Sequence, residues 1–196
     1  MRKNCGFTVV ELITVIMIVG VLAAVAVPSF KTLRLNSQIS AMSGDMAATL
    51  SQARSLAISK RTTVFVIQGA GTGTTDVAVG ADWNGGWRIL RGATLAAAVQ
   101  VTRVQRMGSN TDVRLQVNGG SVDSAGTMTG TALNGFAFNN FGQLMLTDAT
   151  TALTQAAMII CVADGISTSE NGRAISISRS GRVSNQAVTN PASCGS

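Results

Sequence analysis

Between Leu12 and Val27 the chain runs sixteen residues without a charge, and one carboxylate, Glu11, stands at the head of that run. Extended back to Phe7, the apolar segment spans 21 residues. As a helix it would be about 31 Å long, the thickness of a hydrocarbon core of about 30 Å. The segment therefore predicts a single membrane-crossing helix. Arg2 and Lys3 precede it, which places the N-terminus in the cytoplasm and the bulk of the chain beyond the membrane. An acid within such a helix costs roughly 2.5–3.5 kcal/mol on translocon scales, so Glu11 needs a reason. A secretory signal peptide is the alternative: cleavage after Ala24-Val25-Ala26 would start the mature chain at Val27. That reading gives Glu11 no use.

Beyond the apolar run the same helix is expected to continue, bent at Pro28 because proline removes a donor and crowds the preceding turn. Leu35, Ile39, Met42, Met46, Leu50, Ala53 and Ala57 recur at steps of three and four, an apolar stripe on an amphipathic helix. A helix from Thr8 to Ser59 would be about 78 Å long. Its methionines read as core packing.

After Lys60-Arg61 the period changes to two. Strands are expected at Thr62–Ile67, Gly86–Arg91, Val99–Arg103, Asp112–Val117, Gly135–Asn139, Gln143–Thr147, Ala157–Val162, Arg173–Ser178 and Arg182–Asn185. Asn84-Gly85-Gly86, Asn118-Gly119-Gly120, Asn134-Gly135 and Asn171-Gly172 punctuate them as turns. Gly69–Thr75 and Gly119–Thr131, small and polar, read as mobile loops. The fold class is α+β, a long N-terminal helix packed on antiparallel sheet.

The sequence has no His and no Tyr, and only 12% of its residues are charged. Imidazole triads and imidazole metal sites are thereby excluded. Asp76, Asp82, Asp123 and Asp164 lack calcium-loop spacing. No catalytic residue, metal or cofactor is assigned, and the chain is not read as an enzyme. Trp83 and Trp87 flank the Asn84-Gly85-Gly86 turn. One buried tryptophan and one covering the turn is preferred to a paired stacking platform for sugars or bases.

The stretch Gly6-Phe7-Thr8-Val9-Val10-Glu11-Leu12 resembles the class III leader of type IV pilins and pseudopilins. The resemblance implies cleavage by a prepilin peptidase between Gly6 and Phe7, methylation of the new Phe7 amine, and the family's assembly glutamate at Glu11. The expected organisation is a leader at 1–6, a transmembrane and assembly half-helix at 7–30, an amphipathic half-helix at 31–61 and a β-rich globular domain at 62–196. The new amine, with an ordinary pKa near 8, can meet Glu11 of a neighbouring subunit in a low-dielectric filament core. Desolvation offsets much of that attraction, yet wrong registers would leave a charge buried and unpaired. Glu11 reads as a register key.

Further along, Gln52-Ala53-Arg54-Ser55-Leu56-Ala57, Trp87 after Gly85-Gly86, Phe138–Gly142 and Ile177–Val183 resemble segments of the FimT/FimU/GspH minor pilin family. That resemblance implies the type IV pilin fold. It also implies a low-abundance subunit at or near a filament tip that helps start assembly from the bacterial inner membrane. The partners implied are other minor and major pilins or pseudopilins, the prepilin peptidase, the inner membrane and, for FimT-type members, DNA bound through a C-terminal Gly-Arg-x-Arg. Here Gly181-Arg182-Val183-Ser184 lacks the second arginine.

With Cys5 lost in the leader, Cys161 and Cys194 remain, and two cysteines outside the cytoplasm favour one disulfide over two free thiols. Its 34-residue loop would be worth roughly 3–4 kcal/mol on the chain-entropy model and would tether the tail. Removing Arg2 and Lys3 leaves 13 basic against 9 acidic residues. Arg173, Arg179 and Arg182 are read as a cluster near the tail and, with Gly181, as candidate DNA contacts. Arg88, Arg91, Arg103, Arg106 and Arg114 sit on or beside middle strands. A positive face would attract phosphate, although solvent-facing arginines also protect strand edges from aggregation. Three functional classes stay open: a minor pilin priming a type IV pilus, a DNA-binding pilus subunit for uptake, and a minor pseudopilin of a type II secretion system.

Overall fold

The computed structural model describes residues 7–69, 83–104, 113–123, 127–148, 150–162 and 172–188. Gly6, Cys194, Arg106 and the expected loop beyond Gly69 lie outside the described residues, as do the side chains of residues 25–29, 84 and 103–104.

One helix, α1 (Val9–Lys60), runs 52 residues, about 78 Å, and continues through Pro28. It stops at Arg61, which is left-handed with φ 49° and closes the last turn with its amide on the carbonyls of Ala57 and Ile58. A basic residue, Lys60, in that turn suits the negative end of the helix dipole.

The strands follow as β1 (Val64–Gln68), β2 (Trp87–Arg91), β3 (Val99–Val104), β4 (Val113–Asn118), β5 (Gly135–Phe138), β6 (Leu144–Met145), β7 (Gln155–Val162), β8 (Gly172–Ser178) and β9 (Val183–Val188). They form two antiparallel sheets, ordered β3-β2-β1-β5-β6 and β4-β7-β8-β9. Both sheets pack on the second half of α1. The expected stripe from Leu35 to Ala57 is buried throughout and joins Val64, Val66, Phe136, Phe138, Leu115, Met158, Ile160, Ile175 and Ile177 in one core.

Several strands are buried on both faces. In β1, Val64 and Val66 face the helix, while Phe65 and Ile67 join Leu90, Ala98 and Ala137 on the outer side. In the second sheet, Ile159, Cys161, Ala174 and Val188 form an outer cluster against which Val122 and Met128 pack. That contact corrects the reading of Gly119–Thr131 as a mobile loop. The segment doubles back as a hairpin: the Gly119 amide donates to the Thr131 carbonyl at 2.9 Å, the Thr129 amide to Ser121 at 2.9 Å, and Val122 bridges Met128. Small polar residues hid its role, because only Val122 and Met128 carry the packing.

Candidate functional site

The start of α1 is a reciprocal cap. Thr8, extended at φ −81° and ψ 151°, accepts the Glu11 amide on its hydroxyl at 3.3 Å. Glu11 Oε2 in turn accepts the Thr8 amide and the Thr8 hydroxyl, each at 2.9 Å. This is a capping box, which satisfies two orphan donors at once. Thr8 as partner of Glu11 was missed in the sequence reading; the spacing Thr-x-x-Glu before an apolar run is the signal that marks it. Around this cap the helix is bare. Phe7 is 82% exposed, and Val10, Leu12, Ile16, Met17, Val21 and Leu22 are all exposed as well. None of them belongs to the globular core. Among the described residues no helical stretch is long and apolar enough to cross a membrane; the apolar run continues into residues 25–29, whose side chains are not described.

A second site lies at the other end of α1, where two turns close against the helix. The Arg54 Nε donates to the carbonyl of Gly142 in the β5–β6 turn at 3.2 Å. Gly181, in the β8–β9 turn, is left-handed at φ 76°, and its amide closes on the Ser178 carbonyl at 2.8 Å. A Cβ there would sit 2.3 Å from the Gly142 oxygen and 2.6 Å from Arg54 Nε, so the position has room for glycine alone. Between helix and turn opens a groove of about 520 Å³, lined by Ser51, Arg54, Ser55 and Ile58 on one side and by Arg182 and Val183 on the other.

The family model for the type II transport protein GspH matches residues 43–181, which takes in the last third of α1 and every strand but β9. The chain belongs to the GspH family. A second model, the prokaryotic N-terminal methylation motif, matches residues 1–27, the segment that holds the capping box. The type IV major alpha-pilin of Moraxella bovis is 44% identical over 48 residues, 24% of this chain and 30% of the pilin; the match thus spans under a third of that relative's length. The crystal structure of the Pseudomonas aeruginosa type IV minor pilin FimU superposes with a TM-score of 0.51 at 19% identity, covering 80% of this chain and 96% of that one. The likeness is one of fold.

Within this GspH-family fold the expected arginine cluster divides. Arg173 pairs with Ala187 at one end of the β8–β9 hairpin, while Arg179 and Arg182 belong to the turn at the other. Arg179 lies six residue steps along the strand from Arg173, about 20 Å. Chain proximity misled here because an extended strand spaces residues far more widely than a helix does. Arg88 also departs from expectation. It is 1% exposed, since β2 is an interior strand between β1 and β3 and Arg88 shares its outer face with Leu90.

Both tryptophans are buried, at 4% and 2% exposure, where the sequence predicts one buried and one covering the turn. Trp83 stacks on Phe136 with centroids 6.2 Å apart and donates its indole N–H to the Leu133 carbonyl at 2.7 Å. Trp87 donates to the Thr49 hydroxyl on α1 at 3.1 Å. Trp87 thus ties β2 to α1, Trp83 ties its turn to the segment before β5, and neither buried ring offers a stacking platform. Cys161 is buried in β7, and Cys194 lies outside the described residues.

Proposed function

We propose that this GspH-family protein is a minor pilin that primes assembly of a type IV pilus from the inner membrane and takes a place at or near its tip. The exposed apolar half of α1 supports this most directly. From Phe7 to Leu22 the large side chains are uncovered, and burying a Leu, Ile, Val or Phe is worth roughly 1.5–3 kcal/mol each. Only lipid or the helices of other subunits can supply that burial on the scale required. The segment first spans the inner membrane, with residues 1–6 cytoplasmic and residues 62–196 periplasmic. Cleavage after Gly6 then leaves Phe7 as a methylated terminus, and the helix enters the filament.

Glu11 serves both stages. In the free subunit Thr8 satisfies its carboxylate, which lessens the cost of an acid in the membrane. In the filament it meets the Phe7 amine of a neighbour. The tail is tethered by a Cys161–Cys194 disulfide. Cys161, Gly172 and Val188 stand in one row across β7, β8 and β9, so Val188 is about 10 Å from Cys161, and the six following residues reach back easily.

The second reading is a minor pseudopilin of a type II secretion system, favoured by the match to the type II transport protein GspH over residues 43–181. Deleting the gene separates the two: loss of surface filaments with secretion intact supports the pilus, and the reverse supports the secretion system. DNA binding is not proposed, because Arg173 stands apart from Arg182 and Ser184 occupies the place of a second arginine.

A further inference from the structure

The groove between α1 and the β8–β9 turn carries charge that the fold does not use. Arg54 spends its Nε on the Gly142 carbonyl, and among the described residues no carboxylate pairs with its remaining N–H groups or with the guanidinium of Arg182. Among the described residues no acid lines the groove. Arg54 is fixed from behind by two glycine turns, so its planar fork is held rather than free to sweep through solvent. A guanidinium pre-organised in this way matches a carboxylate bidentately.

The groove also has an apolar margin. Ile58 lines it and is 46% exposed. The neighbouring β5–β6 turn, which packs on Ile58 through Gly142, presents Phe141 at 74% exposure. That turn is rigid: Asn139 Oδ1 accepts the amides of Phe141 at 3.0 Å and Gln143 at 2.9 Å, and Asn139 Nδ2 donates to Gln143 Oε1 at 3.1 Å. An exposed aromatic on a hydrogen-bonded turn beside a half-buried arginine is the composition of an interface hot spot.

From these observations we infer that the groove is a docking site for a protein segment that places a carboxylate between Arg54 and Arg182 and an apolar side chain against Ile58 and Phe141. That this segment belongs to another filament subunit rests on the assembly reading; the binding chemistry does not. The site lies about 60 Å along α1 from Glu11. A subunit gripped at both places would be fixed in angle as well as register. Nucleic acid fits the observations less well. A duplex needs a track of cations, whereas the described lining of this groove has two, and Arg173 stands about 20 Å from the turn.

The test uses the full chain in a neutral detergent and reads fluorescence anisotropy of three labelled probes: a short peptide of alternating Glu and Leu, its Lys-for-Glu counterpart, and a short DNA duplex. The acidic peptide should bind and the basic one should not. Arg182→Glu should weaken the acidic peptide by at least about tenfold, and Phe141→Ala by about tenfold. Both side chains are exposed, and unchanged thermal midpoints would verify that the variants fold. Equal binding of the two peptides, tighter binding of the duplex, or wild-type affinity in both variants would overturn the inference. Peptide binding can fail while filaments still assemble, so this outcome is separable from failure of the assembly reading.

Discussion

Arg54 reaches across 88 residues of sequence to hold the carbonyl of Gly142 at 3.2 Å, and Gly181 packs onto the same guanidinium. Three distant segments therefore meet on one side chain. The two glycines differ in what surrounds them. At Gly181 a Cβ would strike a carbonyl oxygen at 2.3 Å; at Gly142 it would meet the end of the Ile58 side chain at 2.8 Å, which can move. Both have positive φ, a strain of roughly 1–2 kcal/mol for an L-residue. Gly142→Ala should cost about that much, and Gly181→Ala about 1 kcal/mol more, as urea unfolding midpoints would record.

The Trp87–Thr49 bond joins β2 to α1 inside the core. Thr49→Val keeps the shape but leaves the indole N–H buried without its acceptor, which should cost about 1–3 kcal/mol. Adding Trp87→Ala to Thr49→Val should cost less than the sum of the single changes, because the residues share one interaction.

Asp148 should shape the acid limb of stability. The Thr151 hydroxyl donates to Oδ2 at 2.6 Å, and the amides of Thr151 and Thr150 donate to Oδ1 at 2.8 and 2.9 Å. Led by the Thr151 hydroxyl, these bonds lower its pKa from an ordinary 3.8 to about 2. The folded pKa is the lower one, so the carboxylate's stabilising contribution is present above about pH 4 and is lost as pH falls towards 2. Asp148→Asn should be less stable than the parent at pH 6, and the difference should shrink steadily between pH 4 and pH 2. A gap that stayed constant across that range would contradict the assignment.

The proposed Cys161–Cys194 disulfide makes a plain expectation. Under non-reducing conditions the mature chain should take up no thiol reagent, and Cys194→Ser should expose one reactive sulfur at Cys161 on unfolding. The variant should lose roughly 3–4 kcal/mol of stability, read from chemical unfolding with and without reductant.

What the sequence disclosed and what it hid divide along physical lines. The buried stripe from Leu35 to Ala57 and the alternation Val113, Leu115, Val117 are local periodicities, readable because one face of each element meets the core. The Thr62–Ile67, Gly135–Asn139 and Ala157–Val162 strands fall within two residues of β1, β5 and β7. Burial on a sheet's second face is another matter, since it depends on which remote segment covers it. Hence nothing in the sequence marks Arg88 as buried, Gly119–Thr131 reads as loose, and only one of Trp83 and Trp87 reads as buried. The groove was hidden for the same reason. Arg54 and Arg182 belong to segments that look unrelated until the β8–β9 turn closes on the helix. Thr8 differs: the Thr-x-x-Glu spacing that makes it the partner of Glu11 is local and legible in the sequence.

The central claim is that the carboxylate of Glu11 finds the Phe7 amine of an adjoining subunit during assembly. Glu11→Gln preserves the side chain's size and removes its charge, while a Thr8→Val control removes the intramolecular partner alone. Quantifying each variant against the parent in sheared filaments, at equal membrane abundance, tests the claim most directly. Glu11→Gln should fall by at least about tenfold, because breaking a buried ion pair leaves one charge uncompensated, whereas Thr8→Val keeps the carboxylate and should enter filaments much more efficiently. Parental incorporation of Glu11→Gln would contradict it.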